Sequence, residues 1–458
     1  MRNNCILENI KWGKTIVVKV VKFGGSSLAD ANQFKKVKRI IKSDKDRRYV
    51  IPSAPGKRSK DDTKVTDLLI LSYSHRNEDD FEQIFNEIKG RYEEIIAGLK
   101  LDYSLEEEFN KIKEAIKNKA SFDYVVSRGE YLNGLLLAKY LEIDFIDAAD
   151  VIRIDSKGNY DDAQTDVLLK EELAKHDYAV IPGFYGRRND HSGEIQAFSR
   201  GGSDVTGSIV AKCAAANLYE NWTDVSGFLI ADPRIVKDPL PIDSITYGEL
   251  RELSYMGASV LHENSIFPVR KAGIPINIKN TNAPEDPGTL IVESTVHRPT
   301  HIITGLAGKK GFATVTIEKD MMNSEVGFGR KVLQVFEEYG LSFEHMPSGI
   351  DTMTIVVNTK EFVPHEQEIL SGIHRAVNPD RIDLESDLAL IAIVGRGMKA
   401  SRGTAAKVFN ALAKKKINIK MIDQGSSEQN IIVGVRNVYF NEAIKAIYDA
   451  FVEREDLA

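Results

Sequence analysis

The chain has 458 residues, of which 42% are hydrophobic and 28% are charged, and its formal net charge is −6. This composition is ordinary for a globular protein, and the length predicts about three domains with a sizeable buried core. The negative charge argues against a protein that binds nucleic acid or an anionic membrane surface through bulk charge.

The cysteine content and the absence of long apolar runs bear on the cellular compartment of the protein. Cys5 and Cys213 are too few for a disulfide framework and favour a reducing environment. The first residues show no signal-peptide pattern, and no stretch approaches the roughly 18 apolar residues of a membrane span. We therefore expect a cytoplasmic protein with no membrane interaction.

Apolar runs alternate with helical patterns in the first part of the chain. Strands are predicted at residues 16–21, 49–51, 179–181 and 275–278. Helices are predicted at residues 68–73, in the charged stretch 79–119, and at residues 130–140 and 204–215. This alternation predicts a layered α/β fold with a mostly parallel sheet, whose ligands bind beyond the carboxyl ends of the strands.

The loop after the first predicted strand carries a glycine pair. Residues 21–30 read VKFGGSSLAD, which matches neither G-x-x-x-x-G-K-[ST] nor G-x-G-x-x-G. Glycines at a strand end let successive backbone amides approach an anion, and Lys22 adds a positive charge. We expect a phosphate cradle here, and the alternative is a tight turn with a solvated lysine.

A second glycine pair lies further along the chain. Residues 198–211 read FSRGGSDVTGSIVA. Arg200 can hold a carboxylate or a phosphate with two parallel N–H groups. Ser203 or Asp204 can cap a helix that begins near Val205. Asp204 therefore has two open interpretations at this point, a helix cap or a member of an anion site.

Three further segments place polar residues at the ends of predicted elements. They read SAPGKRSKDDTKVTDLL (residues 53–69), SRGEYLNGLLLAKYL (residues 127–141) and WTDVSGFLIADPRIV (residues 222–236). In the second, Glu130 is predicted at the start of an apolar helix, where an acidic residue suits the helix dipole. In the third, Thr223, Asp224 and Arg234 surround a turn. Each segment alone is also typical of an ordinary surface loop or helix start.

The C-terminal part contains an internal repeat, which follows a boundary at residues 280–298 that is rich in Pro, Gly, Asn and Thr. Gly403 aligns with Gly327, which sets the offset between the copies at 76 (403 minus 327). Each copy reads strand, glycine-containing loop, amphipathic helix, strand, turn and strand. The offset matches apolar positions without a gap: Val315 with Ile391, Ile317 with Ile393, Val332 with Val408, Leu341 with Ile417, Ile355 with Ile431 and Val357 with Val433.

Taken in order, these segments resemble the aspartate kinases of the amino-acid kinase superfamily. The motifs that carry the resemblance are VKFGGSS, SAPGK with TKVTDLL, SRGE, SRGGSDVT, TDVSGFLIADPR and MGASVLHE. The tandem copies resemble that family's paired ACT regulatory domains. The resemblance implies the amino-acid kinase fold, a layered αβα sandwich with a mostly parallel sheet, followed by two βαββ ACT-like α+β units. The implied domains are an extension at residues 1–14, a kinase domain at 15–295 and ACT-like domains at 303–380 and 381–458.

The resemblance also implies an activity. ATP would phosphorylate the side-chain carboxylate of L-aspartate to give 4-phospho-L-aspartate, the first step towards lysine, threonine and methionine. Mg²⁺ would be held mainly through the ATP phosphates, and no protein residue is assigned as a metal ligand. The implied residues are Lys22 and Asp204 for catalysis; Gly24, Gly25 and Ser26 for the phosphate; Ser53, Thr66, Glu130 and Arg200 for aspartate; and Thr223, Asp224 and Arg234 for the nucleotide.

The ACT-like pair implies feedback inhibition by an end-product amino acid. A helix start after the MNSEVGF loop suits an α-carboxylate, and nearby acidic groups suit a cationic effector, so lysine is expected before threonine. The alternative is that these acids are solvated charges on half-exposed strands. ACT-like strands usually pair across subunits, which implies a homodimer or a dimer of dimers. The effector residues are Met322, Ser324, Gly327, Phe328, Glu344 and Asp351.

Two positions depart from the family pattern. Leu229 stands where an aromatic residue is common, and Ser259 stands where lysine is usual. Both departures affect the expected nucleotide contacts, whereas the phosphate-side residues are intact. Two alternatives therefore accompany the main hypothesis: a kinase for a different carboxylate substrate, and a ligand-sensing regulatory protein without kinase activity.

Overall fold

The structure is a computed structural model that describes residues 17–155, 157–190, 192–198, 201–258, 261, 263–294 and 301–452. By internal contacts these residues divide into two units. The first unit contains the described residues of 17–228, 243–247 and 261–294, and the second contains those of 229–242, 248–258 and 301–452. No helix among the described residues has the length and apolar character needed to cross a membrane. The predicted extension at residues 1–14 lies outside the described part.

The first unit is built on a mostly parallel sheet. Its strands are β1 (Lys19–Phe23), β2 (Arg47–Pro52), β3 (Asp144–Phe145), β4 (Arg153–Ile154), β5 (Ala179–Val180), β6 (Tyr185–Arg188), β7 (Ile195–Ala197), β8 (Leu218–Thr223), β9 (Ser244–Thr246), β10 (Ile276–Asn280) and β11 (Thr289–Val292). Eight of them form a sheet in the order β3-β5-β2-β1-β8-β10-β11-β9, in which only β10 and β11 are antiparallel neighbours. The other three form a small sheet in the order β4-β6-β7. The predicted α/β fold with a mostly parallel sheet is confirmed.

Helices connect these strands. They are α1 (Ala31–Lys42), α2 (Val65–Ser74), α3 (Phe81–Leu99), α4 (Glu106–Lys117), α5 (Phe122–Leu141), α6 (Ala148–Val151), α7 (Asp162–Leu173), α8 (Gly202–Cys213), α9 (Tyr247–Tyr255) and α10 (Phe267–Lys271). In α1 the Asp30 side chain accepts from the amides of Asn32 and Gln33, and buried residues recur at helical spacing. Helices α1 to α5 bury their apolar faces in one core with β1, β2 and β8. This core fixes the strand ends where the predicted site lies.

Two helix predictions need correction. The charged stretch 79–119 is two helices, because Lys100 adopts the left-handed conformation (φ 55°) after α3 ends at Leu99, and α4 begins at Glu106. The helix predicted at residues 130–140 begins earlier, at Phe122, where the Ser121 side chain accepts from the Tyr124 amide. Glu130 consequently lies inside α5 and not at its start.

The second unit contains a five-stranded antiparallel sheet. Its strands are β12 (Gly305–Glu318), β13 (Thr352–Asn358), β14 (Arg381–Val394), β15 (Met421–Asp423) and β16 (Asn430–Arg436), in the order β13-β12-β14-β16-β15. Its further helices are α11 (Phe328–Glu338), α12 (Thr359–Phe362), α13 (Glu366–Val377), α14 (Thr404–Lys414) and α15 (Phe440–Phe451). The long strands β12 and β14 pair along their whole length, so both repeats share one sheet.

The repeat inferred from apolar spacing is present in the backbone. Helices α11 and α14 begin at Phe328 and Thr404, which keeps the offset of 76 (404 minus 328). Each follows a glycine in the left-handed conformation, Gly327 and Gly403, both with φ 83°. Each copy also ends in a helix that the pattern did not predict, α13 and α15. The domain boundaries within the repeat stay a prediction.

A buried carboxylate anchors α9 within the second unit. Glu249 is 1% exposed and accepts from the Thr304 hydroxyl (2.6 Å), the Arg396 amide (2.8 Å) and the Arg396 guanidinium (2.7 Å). A buried charge is tolerated only when it is paired and hydrogen-bonded. These bonds therefore tie the part of α9 after Tyr247 to the strands β12 and β14 and their connections.

Candidate active site

Three motif segments meet at the carboxyl edge of the large sheet. The neighbouring strands β2, β1 and β8 end side by side, and hydrogen bonds join the residues that follow them. The Gly24 amide donates to the Trp222 carbonyl (3.0 Å), and the Ser53 amide donates to the Phe23 carbonyl (3.0 Å). Ser53, the loop at Gly24 and the end of β8 at Thr223 therefore share one edge, which is where ligands bind in such sheets.

The two glycines of the first loop have different roles. A Cβ on Gly25 would lie 2.9 Å from the Ala54 carbonyl oxygen and 3.2 Å from the Gly56 Cα, so backbone occupies its place. The Gly56 amide also donates to the Gly25 carbonyl (2.8 Å). A Cβ on Gly24 would meet its nearest atoms only at 3.6 Å and 3.9 Å, the latter being Lys22 Nζ. Gly25 thus joins two loops, and Gly24 faces the space beside the lysine.

Lys22 and Asp204 form an ion pair at this edge. Lys22 Nζ lies 2.7 Å from Asp204 Oδ1, and the side chains are 10% and 16% exposed. The same oxygen accepts from Asn221 Nδ2 (2.8 Å), from the adjacent strand β8. Pattern reasoning did not select Asn221, although a Glu–Asn pair inside a buried strand was a visible signal.

The helix-cap interpretation of Asp204 is wrong. The residue before α8 is Gly201, in the left-handed conformation (φ 59°), and no side chain caps the helix. Asp204 lies in the first turn and directs its carboxylate at Lys22 instead. Gly202 has its own packing constraint, because a Cβ there would lie 2.5 Å from the Phe184 ring. Phe184 is a non-glycine residue with φ 82°, a costly conformation that often marks a functional site.

Glu130 is a buried carboxylate with one unpaired oxygen. Its Oε1 accepts from the Ala54 amide (3.1 Å), whereas its Oε2 is buried and has no hydrogen-bond partner in the described part of the chain. Burial raises the pKa of Glu130 to about 7, although the Ala54 amide and the charges of Arg128 and Lys22 oppose the shift. The predicted contribution of the helix dipole is therefore wrong, and desolvation dominates.

A distant arginine holds the loop that follows β2. Arg91 of α3 is 5% exposed and donates to the carbonyls of Gly56 (2.6 Å) and Thr63 (2.8 Å). It also pairs with Asp62 at 3.0 Å. Nothing in the local sequence marks Arg91, because its partners lie far from it along the chain and are mostly backbone atoms.

The other predicted ligands are less closely grouped. Thr66 is the second residue of α2 and is half-buried, and the Thr223 hydroxyl donates to the exposed Asp224 (3.1 Å). Arg234 is exposed, pairs with Asp232 (2.6 Å) and lies in the second unit. Arg200 and Ser259 are outside the described residues.

The predicted effector residues lie in the first repeat of the second unit. Met322 and Ser324 form a short 3-10 helix, Gly327 precedes α11 and the buried Phe328 begins it. The Asp351 carboxylate accepts from the Met321 amide (3.0 Å), and Glu344 accepts from the Tyr255 hydroxyl.

Comparisons with known proteins show the family of the chain. Residues 17–280 match the model of the amino acid kinase family, and residues 391–451 match an ACT domain. Aspartokinase 3 of Bacillus subtilis is 38% identical over 450 residues, covering 95% of this chain and 98% of that protein. The crystal structure of Clostridium acetobutylicum aspartate kinase is 54% identical with a TM-score of 0.86, covering 95% and 100% of the two chains. Escherichia coli aspartokinase III in complex with lysine and aspartate is 25% identical with a TM-score of 0.71, covering 95% and 99%.

The two glycines of the first loop should respond differently to substitution. We expect Gly25→Ala to lower the free energy of unfolding by about 1–3 kcal/mol, because its Cβ would overlap the backbone of residues 54–56. Gly24→Ala is the matched control and should cost less than about 1 kcal/mol, since its backbone (φ −68°, ψ 164°) suits alanine. Urea denaturation of both variants measures the difference, and equal losses would contradict the assigned packing role of Gly25.

Proposed function

Since this chain belongs to the aspartokinase family and is an aspartate kinase, we propose that Lys22, Asp204 and the loop Gly24–Ser26 carry the transfer of a phosphoryl group from ATP. The observation that carries the proposal is the Lys22–Asp204 ion pair, which lies at the carboxyl edge of the sheet beside that loop. We further propose that Glu130 binds the ammonium group of L-aspartate.

The chemistry requires charge neutralisation more than proton transfer. The side-chain carboxyl of free aspartate has a pKa of about 4, so the nucleophile is already ionised at neutral pH. The difficulty is the approach of this anion to the anionic γ-phosphate. Lys22 would lower that repulsion, and the backbone amides of Gly24, Gly25 and Ser26 would position the phosphoryl group. Asp204 would hold Lys22 in place, with Asn221 fixing Asp204.

The donor set near Lys22 fits a metal ion that is held mainly by the nucleotide. Asp204 is engaged with Lys22 and Asn221, so its carboxylate is already occupied by protein partners. In the described part of the chain, the one group of three metal-ligating side chains is His75, Glu78 and Asp80, at the end of α2 and before α3. Mg²⁺ would neutralise phosphate charge when bound with ATP, and would keep several water ligands.

The aspartate pocket would select an α-amino acid. Glu130 supplies a buried carboxylate for the ammonium group, and Arg200 would clamp a substrate carboxylate with its guanidinium fork. Ser53 and Thr66 are the proposed hydroxyl ligands. A kinase for a carboxylic acid without an amino group would have no use for the unpaired oxygen of Glu130.

The nucleotide side is proposed on the resemblance of its motifs. Thr223 ends β8, Asp224 follows it, and Arg234 lies in the ADPR segment. Leu229 is 38% exposed, and its aliphatic side chain cannot stack on adenine as an aromatic ring does. We expect ATP binding to depend more on phosphate contacts than on the adenine ring.

Lysine is the proposed feedback inhibitor, with threonine as the second candidate. The first repeat has Glu344 where the second repeat has Lys420 (344 plus 76), which pairs with Glu385 at 2.7 Å. A cationic effector therefore suits the first repeat alone. The lysine complex of the similar E. coli enzyme supports this choice. The remaining effector ligands would be Met322, Ser324, Gly327, Phe328 and Asp351.

We also propose the domain division and the assembly given by the resemblance. A kinase domain at residues 15–295 would be followed by ACT-like domains at 303–380 and 381–458. Exposed apolar side chains around the first repeat, among them Val326 (96%) and Ile350 (69%), support pairing of two copies there. The protein would act in the cytoplasm as a homodimer or a dimer of dimers.

An ATP-dependent hydroxamate assay with aspartate, glutamate and acetate tests the catalytic proposal. Product should form with aspartate only, and Lys22→Ala should lower kcat by at least about 10²-fold, because one preorganised charge is lost. The exposed Lys35→Ala variant is the control and should retain normal kcat. A near-normal kcat for Lys22→Ala would contradict the proposal that Lys22 acts at the phosphate site.

The pKa of Glu130 predicts a pH dependence of substrate affinity. Because burial raises this pKa to about 7, the ligand-free carboxyl loses its charge as the pH falls through 7. The KM for aspartate should therefore rise about tenfold for each pH unit below 7, while the KM for ATP changes little. Glu130→Gln should remove this dependence and show a high KM at every pH. A wild-type KM that stays constant between pH 6 and 8 would argue against Glu130 as the ammonium ligand.

Inhibition curves test the effector site. Glu344→Ala should raise the lysine concentration for half-inhibition by about tenfold, since a charge-assisted hydrogen bond is lost. Glu385→Ala removes a carboxylate from the second repeat and should leave the curve in place. Each curve is normalised to the uninhibited rate of the same variant. Equal shifts in both variants would contradict the assignment of Glu344 to the effector site.

A further inference from the structure

Two buried oxygen atoms on one face of α5 have no hydrogen-bond donor among the residues that the structure describes. They are Oε2 of Glu130 and Oδ1 of Asn133. The two residues are 6% and 0% exposed. Residues three apart in a helix are neighbours on the same face, so the two side chains stand one above the other.

The assignment of the Asn133 amide follows from its partner. Asn133 Nδ2 donates to the Ser53 carbonyl oxygen at 2.6 Å. A carbonyl oxygen only accepts hydrogen bonds, so the atom facing it is the amide nitrogen and the other atom is the acceptor Oδ1.

The Glu130 and Asn133 side chains bind the same peptide group, between Ser53 and Ala54, and each has one further oxygen without a hydrogen bond. Asn133 binds the Ser53 carbonyl, and Glu130 Oε1 binds the Ala54 amide at 3.1 Å. The segment 53–54 is thereby fixed to α5 from both sides. The two remaining oxygens are acceptors that the folded chain itself does not satisfy within the described residues.

Buried acceptors in native proteins are rarely left unpaired, and each exception calls for an explanation. Bulk water does not reach these two atoms, so their donor is either a group enclosed with them or the Glu130 carboxyl itself, which carries a proton below pH 7. A primary ammonium group carries three N–H donors and a positive charge, so a single such group has enough donors for both oxygens. We propose that Asn133 is a specificity-determining residue whose Oδ1 accepts a hydrogen bond from the α-ammonium group of aspartate, beside Oε2 of Glu130. This inference rests on the proposed role of Glu130.

The pair would distinguish free amino acids from related dicarboxylates. An N-acylated amino acid offers a single N–H and brings extra bulk, and a dicarboxylate without nitrogen offers no donor. Either would leave at least one buried acceptor unpaired, which is a strong basis for rejection. An enclosed water molecule is the competing occupant, and it would give Asn133 no part in substrate affinity.

Two substitutions separate the acceptor role from the structural role. Asn133→Leu removes both the acceptor and the donor to Ser53, whereas Asn133→Asp keeps acceptor oxygens but loses the N–H donor. If Oδ1 binds the ammonium group, Asn133→Leu should raise the KM for aspartate at least about tenfold. Asn133→Asp should then recover at least about threefold of that loss, with the KM for ATP within about twofold of the wild type in both variants. KM does not depend on the fraction of enzyme that is folded, so partial misfolding does not obscure the comparison.

Three results would overturn the inference. They are an unchanged KM for aspartate in Asn133→Leu, a KM for Asn133→Asp as high as that for Asn133→Leu, and a parallel rise in the KM for ATP. The exposed Asn118→Leu variant at the end of α4 is the matched control. Glu130→Gln is measured alongside. If it leaves the KM for aspartate unchanged, the proposed role of Glu130 in the pocket is wrong. If it raises that KM, the role of Glu130 stands and the Asn133 variants test the further inference by itself.

Discussion

The site depends on one ion pair, between Lys22 at the end of β1 and Asp204 in the first turn of α8. The 2.7 Å contact is largely shielded from water, so each charge needs the other. Asn221 of β8 donates to the same Asp204 oxygen and so links a second strand to the ion pair. The ion pair therefore links the strand that leads into the first glycine pair to the helix that begins at the second glycine pair.

Much of this architecture was predictable, because it depends on local sequence patterns. Strand–helix alternation predicted the mostly parallel sheet, and apolar spacing at a constant offset predicted the repeat. The ordered motifs pointed to Lys22, Asp204 and Glu130. What failed were assignments that depend on where an element begins. Glu130 was placed at a helix start because an apolar run follows it, but Ser121 begins the helix earlier and leaves Glu130 buried in its interior.

The contacts that the sequence could not predict join residues far apart. Arg91 holds the backbone of residues 56–63, Asn133 holds Ser53, and Gly25 is needed because Gly56 lies against it. A glycine in a motif indicates that something approaches closely, but it does not say whether that is a ligand or another stretch of backbone. Here Gly25 is needed for the close approach of backbone, whereas the ligand role of Gly24 stays a proposal.

The two repeats of the second unit preserve a backbone and differ in chemistry. Gly327 and Gly403 have the same conformation, yet Glu344 corresponds to Lys420. Glu344 also accepts from Tyr255, at the end of the helix that Glu249 anchors. A ligand that competes for Glu344 would therefore act on α9 through a direct contact, which gives the effector proposal a physical route.

The way the chain is threaded limits how the protein could be simplified. Residues 229–242 and 248–258 belong to the second unit, although the chain before, between and after them belongs to the first. The Leu306 amide donates to the Ile230 carbonyl, and Glu249 is satisfied by Thr304 and Arg396. Deleting the C-terminal repeats would strip these segments of their partners and expose a buried charge. A free-standing catalytic fragment would need both segments redesigned, so the C-terminal repeats cannot simply be cut away from the rest of this chain.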